Sequence, residues 1–343
     1  MINCRNKNRG WTLMNRGIAL VFLALWSASS LAAMLPFEVG DHKHIRVMIS
    51  SDAKNEADDD FAVAHALMTP TLKVTGLIAA HYARTAPMMK REGANSMMES
   101  YRELQRLTQV MGKTAVPVYR GATGPLEGNP ALSEGAQQLI NEAKRDDPQP
   151  LFVLVLGALT DVAAALQADP TIAKNMTVIW IGGMPYPTGG WEYNLFNDPQ
   201  AANVVLQSSV TLWQVPHNVY MSVRVSLAEL AARVKPQGKV GEYLWQQLID
   251  FNREISMALK DVPWPKSEVW VLGDNPSVAL LLDDHEYQYT LREAPRINDD
   301  LSYGQQKSPR QIRVYHAVDT RFTLEDFYAK LALLYGGEGT HAH

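Results

Sequence analysis

Apolar runs of five to seven residues alternate along the chain with segments whose apolar positions recur at helical spacing. The runs are rich in Val, Ile and Leu, which is typical of buried strands, and they predict strands at 45–49, 73–79, 151–156, 176–181, 211–215 and 311–317. The helical pattern predicts helices at 59–68, 95–111, 131–145, 161–168, 199–208, 227–234, 241–259, 276–282 and 324–334. This alternation predicts an α/β protein with a mainly parallel, Rossmann-like central sheet flanked by helices. No repeat or linker divides the pattern, so we expect a single domain at 33–335 and a disordered tail at 336–343.

The N-terminal segment has a different pattern. Four basic residues precede an apolar run of nine residues at 18–26, and small residues at Ser30 and Ala32 then have the spacing of a signal peptidase site. A membrane anchor is the alternative, but a bilayer requires about 20 apolar residues. The segment 1–32 is therefore interpreted as a signal peptide, with Met1 or Met14 as its start and a periplasmic or secreted location for the mature protein.

Composition narrows the class of ligand. The chain is 46% hydrophobic and 20% charged, which suits a large buried core. Its net charge is −4 with no long basic run, and this argues against a nucleic acid partner. Cleavage after Ala32 removes the basic segment and the single cysteine, Cys4, so the mature protein is more acidic and has no thiol chemistry. A small neutral or cationic ligand fits this charge, and the sequence leaves open whether the chain forms a homo-oligomer.

The most concentrated group of acids follows the first predicted strand. Five acidic residues lie within the segment Asp52 to Asp60, between an apolar strand and an apolar helix. A solvated face or a helix N-terminus would explain such a run without further function. Packing these carboxylates at the carboxyl edge of a sheet is costly, however, unless a cation neutralises them. Metal binding and a structural role are both open on this observation alone.

Several segments match one known family in order. They are Asp52 with Asp58-Asp59, Val-Pro-Val-Tyr-Arg-Gly-Ala at 116–122, Leu-Gly-Ala-Leu-Thr-Asp-Val-Ala at 156–163, Ile-Gly-Gly at 181–183, Glu-Tyr-Asn at 192–194, Asp-Pro-Gln-Ala-Ala at 198–202, Asp274 and Ala-Val-Asp at 317–319. Together they resemble the nucleoside hydrolases, often called inosine-uridine preferring nucleoside N-ribohydrolases. The match runs from residue 45 to about 334 and covers nearly the whole mature chain.

The resemblance implies a set of site residues. It places Ca²⁺ on the side chains of Asp52, Asp59 and Asp274 and on the backbone carbonyl of Thr160, all of them hard oxygen ligands. A helix cap is the ordinary interpretation of Thr160 and of Asp274 without the resemblance. It also implies sugar contacts from the following four residues: Asp58, Glu192, Asn194 and Ile181.

Four further candidates for ligand contact are inferred only from their position in the sequence. His81 and Arg84 follow the second predicted strand and are secondary candidates for substrate contact, although a His or Arg in a loop more often has a surface or packing role. Trp191 and Tyr193 flank Glu192 and are candidates either for stacking on a base or for hydrophobic packing.

The sequence departs from the family pattern in the first loop, at Ser50 and at Gly273. The first loop is longer than the family turn by two residues, Asn55 and Glu56, and Ser50 stands where the family has an Asp. Gly273 occupies the position at which a His often protonates the departing base. We therefore expect a divergent member whose usual leaving-group acid is missing.

The function that the resemblance implies is calcium-dependent hydrolysis of the N-glycosidic bond of a ribonucleoside or related N-glycoside. Asp52 would accept the proton of a cation-activated water that attacks the anomeric carbon. Two alternatives remain. One is a periplasmic nucleoside- or sugar-binding protein that has lost turnover, and the other is a hydrolase of a different substrate, such as an ADP-ribose-like or plant-derived N-glycoside.

Overall fold

Eight strands form the central sheet of the computed structural model, which describes residues 34–126, 132–258, 268–283, 288–307 and 310–339. They are β1 (Ile45–Ser51), β2 (Leu72–Ala79), β3 (Val118–Arg120), β4 (Leu151–Val155), β5 (Met176–Ile181), β6 (Thr211–Val215), β9 (Tyr289–Glu293) and β12 (Gln311–Tyr315). Two small antiparallel pairs lie outside this sheet, β7 (Arg224–Ser226) with β8 (Val269–Val271) and β10 (Arg296–Ile297) with β11 (Tyr303–Gly304).

The strand order is β3-β2-β1-β4-β5-β6-β12-β9, and every pairing is parallel except that of β12 with β9. The prediction of a mainly parallel α/β sheet is therefore confirmed. The order reverses between β1 and β4, where the chain leaves one side of the sheet for the other. In doubly wound sheets this switch point opens a crevice at the carboxyl ends of the strands. The fold therefore places a binding site beyond Ser51 and Val155.

Eleven helices are found in the described ranges. They are α1 (Asp59–Met68), α2 (Ser96–Val110), α3 (Glu134–Ala143), α4 (Thr160–Ala168), α5 (Tyr193–Asn197), α6 (Pro199–Gln207), α7 (His217–Tyr220), α8 (Leu227–Arg233), α9 (Gly238–Ala258), α10 (Pro276–Leu282) and α11 (Thr320–Tyr335). Within those same ranges, no helix combines the length and apolar character that a bilayer crossing needs.

The helices cover both faces of the sheet. Successive residues of β1 point to opposite faces, so Val47 packs in one hydrophobic cluster and Met48 in the other. Phe61, Leu104, Leu244 and Phe327 bring α1, α2, α9 and α11 to the first cluster. The second cluster holds buried residues of α3, α4 and α6. The central parallel strands are covered on both faces in this way, which explains why they are continuous apolar runs.

Most predicted elements lie within a few residues of the observed ones. The strand predicted at 311–317 ends at Tyr315, and the helix predicted at 324–334 starts earlier, at Thr320, where Asp319 caps it by accepting from the Phe322 amide. The disorder predicted from residue 336 is wrong for Gly336–Gly339, which form a short 3-10 helix. Residues 340–343 and the predicted signal peptide at 1–32 lie outside the described residues.

Candidate active site

Six acidic residues meet in one cavity at the switch point of the sheet. This acidic cavity is lined by Asp52, Asn55, Glu56, Asp58, Asp59, Leu156, Ile181, Glu192, Tyr193, Asn194, Tyr220 and Asp274. They come from the ends of β1, β4 and β5, from the loops before α1, α5 and α10, from the first residues of α1 and α5, and from α7. The cavity thus occupies the crevice that the strand order predicts.

The first loop carries Asp52 directly after β1. The Asp52 carboxylate accepts from Asn55 Nδ2 at 3.0 Å, and the Asn55 amide donates to the Asp52 carbonyl at 2.7 Å. Gly157, at the end of β4, lies against the same carboxylate, because a Cβ at position 157 would stand only 2.4 Å from Asp52 Oδ1. A glycine is therefore required for β1 and β4 to bring their loops this close together.

Asp58, Asp59 and Asp274 form the tightest group of carboxylates. Each offers an oxygen that lies within 4.8 Å of an oxygen of the other two, and all three side chains are buried. Ser51 Oγ donates to Asp59 Oδ1 at 2.6 Å, and the Gly273 amide donates to Asp58 Oδ2 at 2.9 Å. The second bond ties the loop before α10 to the loop before α1. Asp58, which the resemblance implied as a sugar contact, thus also lies among the metal candidates.

The electrostatics of this group favour a cation. Burial, and then repulsion from the neighbouring acids, raises the pKa of Asp59 and that of Asp274 well above their usual values. Burial raises the pKa of Asp58 to about 6, although backbone amides donate to its carboxylate. A bound cation would favour the ionised forms and remove this penalty. Buried carboxylate oxygens are also the donors that hard divalent cations prefer, so the residues present fit a metal of this kind.

Glu192 caps a short helix and anchors the opposite wall of the cavity. Its Oε2 accepts from the amides of Gly183 at 2.7 Å and Leu195 at 2.9 Å. Its Oε1 accepts from the Asn194 amide at 3.1 Å and from the Tyr220 hydroxyl at 2.9 Å. These bonds fix α5 at the end of β5, so that the carboxylate has one defined position.

Asn194 connects two strand ends. Its Nδ2 donates to the carbonyls of Leu156 at 2.7 Å and Ile181 at 2.9 Å, which determines how the side-chain amide is oriented. Leu156, directly after β4, lines the cavity. Leu156 is therefore a candidate source of a backbone oxygen for this site.

Thr160, predicted to supply that backbone oxygen, is placed elsewhere. It begins α4 and is absent from the residues that line the acidic cavity. Its hydroxyl donates to Asp198 Oδ2 at 2.7 Å and accepts from His81 Nε2 at 2.9 Å. The side chain therefore joins two loops behind the site. A carbonyl in the first turn of a helix is directed along the helix, which explains the difference.

His81 and Arg84 are not brought to the cavity either. His81 is fully buried, and its second ring nitrogen accepts from the Ala83 amide at 3.3 Å. Burial, with a smaller contribution from Arg84, lowers the pKa of His81 to about 4, so the ring is neutral. Arg84 is exposed and lies 6.0 Å from the centre of the Phe196 ring. Neither of the two predicted substrate contacts is supported by this arrangement.

The structure adds residues that the sequence did not single out as site residues. Glu56 and Asn55 belong to the longer first loop, whose insertion was the available signal. Tyr220 lies on the four-residue helix α7, far along the chain, and nothing in its neighbourhood marks it as a site residue. Tyr193, which its place beside Glu192 made a candidate for stacking or packing, lines the cavity and packs edge-on against Trp191, with ring centres 4.6 Å apart.

A sheet of this order with ligand-binding groups at its carboxyl edge defines a doubly wound α/β protein whose site is built from loops. The chain belongs to the family described as inosine-uridine preferring nucleoside hydrolase, whose model matches residues 47–325.

Individual relatives are distant from this chain. Pyrimidine-specific ribonucleoside hydrolase RihA of Citrobacter koseri is 25% identical over 234 residues, which are 60% of this chain and 70% of that protein. Uridine nucleosidase 1 of Arabidopsis thaliana is 25% identical over 226 residues, 57% of this chain and 63% of that protein. A solved purine-preferring ribonucleoside hydrolase from Gardnerella vaginalis is similar in fold, with a TM-score of 0.67 at 16% identity, covering 85% of this chain and 99% of that one.

Proposed function

We propose that this protein is a calcium-dependent hydrolase of the N-glycosidic bond of ribonucleosides or related N-glycosides. The observation that carries the proposal is the group of Asp52, Asp58, Asp59 and Asp274 in one cavity, opposite Glu192 and Asn194. Family membership and the names of the relatives agree with this activity. The small polar cavity suits a sugar with several hydroxyl groups.

The carboxylates of Asp52, Asp59 and Asp274, together with the Leu156 carbonyl, would hold the cation. Leu156 takes the place of Thr160 in this proposed set because Leu156 lines the cavity, whereas Thr160 does not. When bound, the cation supplies positive charge that lowers the pKa of water at the site. Calcium, with six to eight oxygen ligands, leaves room for water and sugar hydroxyls in addition to these groups.

The protein's own groups then account for the remaining chemistry. Asp52 accepts a proton from the attacking water, whose oxygen bonds to the anomeric carbon as the carbon–nitrogen bond breaks. The electron pair of that bond stays on the base nitrogen, which takes a proton from solvent. Asp58, Glu192 and Asn194 hold the sugar hydroxyls. The surrounding carboxylates stabilise the positive charge that develops on the sugar ring in the transition state. The oxygen that attacks comes from water, so no covalent sugar intermediate is needed.

We also propose export, since the basic and apolar segment at 1–32 has the pattern of a signal peptide. The mature hydrolase would then act on nucleosides in the periplasm or outside the cell. Its acidic composition is compatible with small neutral or cationic substrates.

The test is release of free ribose from uridine, inosine and a nitrophenyl riboside, with calcium and with a chelator. We expect turnover that is lost with the chelator and restored by added calcium. Asp52→Asn should abolish turnover while calcium binding is retained at least in part. An inactive wild type that still binds calcium and ribose would favour the non-catalytic binding protein instead.

A further inference from the structure

The acidic cavity contains more carboxyl groups than one divalent cation can neutralise. Six carboxylates line it: Asp52, Glu56, Asp58, Asp59, Glu192 and Asp274. Among the described residues that line it, none is Lys, Arg or His. A divalent ion balances the charge of two carboxylates, and each further ionised carboxylate would add negative charge to a partly buried space, where charge interactions are stronger than in water. A substrate that brings its own positive charge is favoured in such a cavity.

Glu56 is the carboxylate that the longer first loop adds. It lies in the turn between Asp52 and Asp58, half-buried, with the acidic neighbours Asp58, Asp59 and Glu192. Glu56 lines the cavity together with Tyr193 and Asn194, which belong to α5. Glu56 is therefore positioned to interact with the ligand in the space between the first loop and α5.

Aromatic side chains border the same space. Tyr193 and Tyr220 line the cavity, and Trp191 packs against Tyr193 while 40% of its own surface stays exposed. Aromatic faces stack on flat rings and attract cations. Carboxylates beside exposed aromatic rings are suited to a flat ring that carries a positive charge.

The histidines near the cavity are poorly placed to protonate a departing base. Both ring nitrogens of His81 are engaged by Thr160 and Ala83, away from the cavity. His217 packs against the Tyr220 ring, with centres 5.2 Å apart, and is absent from the cavity lining. Position 273 is a glycine whose amide donates to Asp58. A leaving group that needs no proton is therefore the one that this site can release most readily.

We propose that the preferred substrates are ribosides whose glycosidic nitrogen is permanently positive, as in a pyridinium ring, and that Glu56 is a specificity residue for this charge. The inference rests on the proposed hydrolase function. The water oxygen bonds to the anomeric carbon, and the electron pair of the broken bond returns to the ring nitrogen, which leaves as a neutral base. One water proton stays on the new hydroxyl and the other passes to Asp52, so that hydrolysis releases one proton overall.

The experiment compares nicotinamide riboside, which is a cation, with nicotinic acid riboside, in which a carboxylate replaces the carboxamide on the same ring. Uridine, inosine and a nitrophenyl riboside complete the set, all with calcium-loaded wild-type protein. We expect kcat/KM for the cation to exceed that for the zwitterion and for the neutral nucleosides by at least about tenfold. Glu56→Gln should reduce the ratio of cation to zwitterion several-fold. The matched control Glu242→Gln, an exposed residue of α9, should leave that ratio unchanged.

Failure of this inference is distinguishable from failure of the proposed function. Hydrolysis of uridine or inosine as fast as that of nicotinamide riboside overturns the substrate preference and leaves the hydrolase function standing. A cation preference that Glu56→Gln does not change overturns the role of Glu56. An absence of hydrolysis with every riboside, the nitrophenyl compound included, overturns the hydrolase function and this inference with it.

Discussion

Asn55 holds the carboxylate of Asp52 from within the longer first loop. Its Nδ2 donates to Asp52 Oδ2 at 3.0 Å, and its Oδ1 accepts from Thr85 Oγ1 at 3.0 Å. Thr85 in turn is fixed by Asn197, whose Oδ1 accepts from the Thr85 amide at 3.2 Å. The inserted residue thus connects the proposed base to two other loops, and it determines which way the Asp52 carboxylate faces.

The first prediction follows from this contact. Asn55→Ala should lower kcat about tenfold, with a smaller effect on KM, because a hydrogen bond to a charged group contributes about 1.5 to 3 kcal/mol. The pH profile of kcat should shift to higher pH, since Asn55 lowers the pKa of Asp52 while burial raises it. Asn141→Ala, at an exposed position of α3, is the control. An unchanged kcat and pH profile would show that Asn55 has no positioning role.

The second prediction concerns the cation. Calcium at about 100 times its Kd should increase the free energy of unfolding of the wild type by about 2.7 kcal/mol. Asp59→Asn and Asp274→Asn should each lose this increase, because each removes a charged ligand from the buried group. Calorimetry with and without calcium measures the effect, with Asp250→Asn on the exposed face of α9 as the control. A wild type whose melting temperature does not respond to calcium contradicts the metal site.

The third prediction concerns pH in the absence of metal. Burial raises the pKa of Asp58 to about 6, whereas an Asp in the unfolded chain titrates near 4. Between about pH 4 and pH 6 the folded protein keeps a proton that the unfolded chain has released. The contribution of Asp58 to the free energy of unfolding therefore falls, by about 3 kcal/mol, as the pH rises through this window.

Urea denaturation of chelator-treated protein at several pH values measures that slope. The Asp58→Asn variant should lack this contribution to the pH dependence. Its free energy of unfolding should therefore increase relative to that of the wild type as the pH rises. Calcium affinity should rise over the same window, because binding favours the ionised carboxylates. A metal-free wild type whose stability relative to Asp58→Asn increases from pH 4 to pH 6 would contradict the raised pKa.

The fourth prediction concerns export. The intact mass of the mature protein should correspond to an N-terminus at Ala33, because Ser30 and Ala32 have the spacing of a signal peptidase site. Fractionation of an expressing bacterium followed by mass spectrometry provides the measurement. Ala32→Pro is expected to block processing and serves as the matched variant. Recovery of the uncleaved chain from the cytoplasm alone would refute the signal.

The fold could be predicted from the long apolar runs, whereas short elements have no recognisable hydrophobic pattern. All six predicted strands are found, because a buried parallel strand is a continuous run of Val, Ile and Leu. The edge strand β9 (Tyr289–Glu293) was missed, since its exposed residues carry no apolar signal. The three-residue strand β3 and the four-residue helix α7 are too short for either period to show.

Site residues that belong to recognisable sequence motifs could be predicted. Residues whose place in the site depends on tertiary packing could not. Asp52, Asp58, Asp59 and Asp274 meet in the cavity as expected. The resemblance assigned the carbonyl to Thr160, which does not line the cavity, and only the structure distinguishes the strand end near Leu156 from the helix start four residues later. Tyr220 could not be predicted, since its place depends on packing at the end of β6 and on its bond to Glu192.

The last prediction concerns leaving groups and position 273. Because a glycine there cannot donate a side-chain proton, a nitrophenyl riboside, whose leaving group needs none, should be cleaved about 10² to 10⁴ times faster than inosine or uridine. His81→Ala should leave this ratio unchanged, since the His81 ring is neutral and bonded to Thr160 away from the cavity.

Gly273→His tests whether an added acid restores the missing step. A Cβ at 273 would lie 2.9 Å from Tyr220 Cδ2 and 3.3 Å from Asp58 Oδ2, so the Tyr220 ring must shift to admit it. We therefore expect that Gly273→His alone lowers turnover of the nitrophenyl riboside through this disturbance. In combination with Tyr220→Ala, which removes the obstructing ring, Gly273→His should reduce the ratio of the cleavage rate of the nitrophenyl riboside to that of inosine. Equal rates for inosine and the nitrophenyl riboside in the wild type, with chemistry rate-limiting, would show that another residue already supplies the proton.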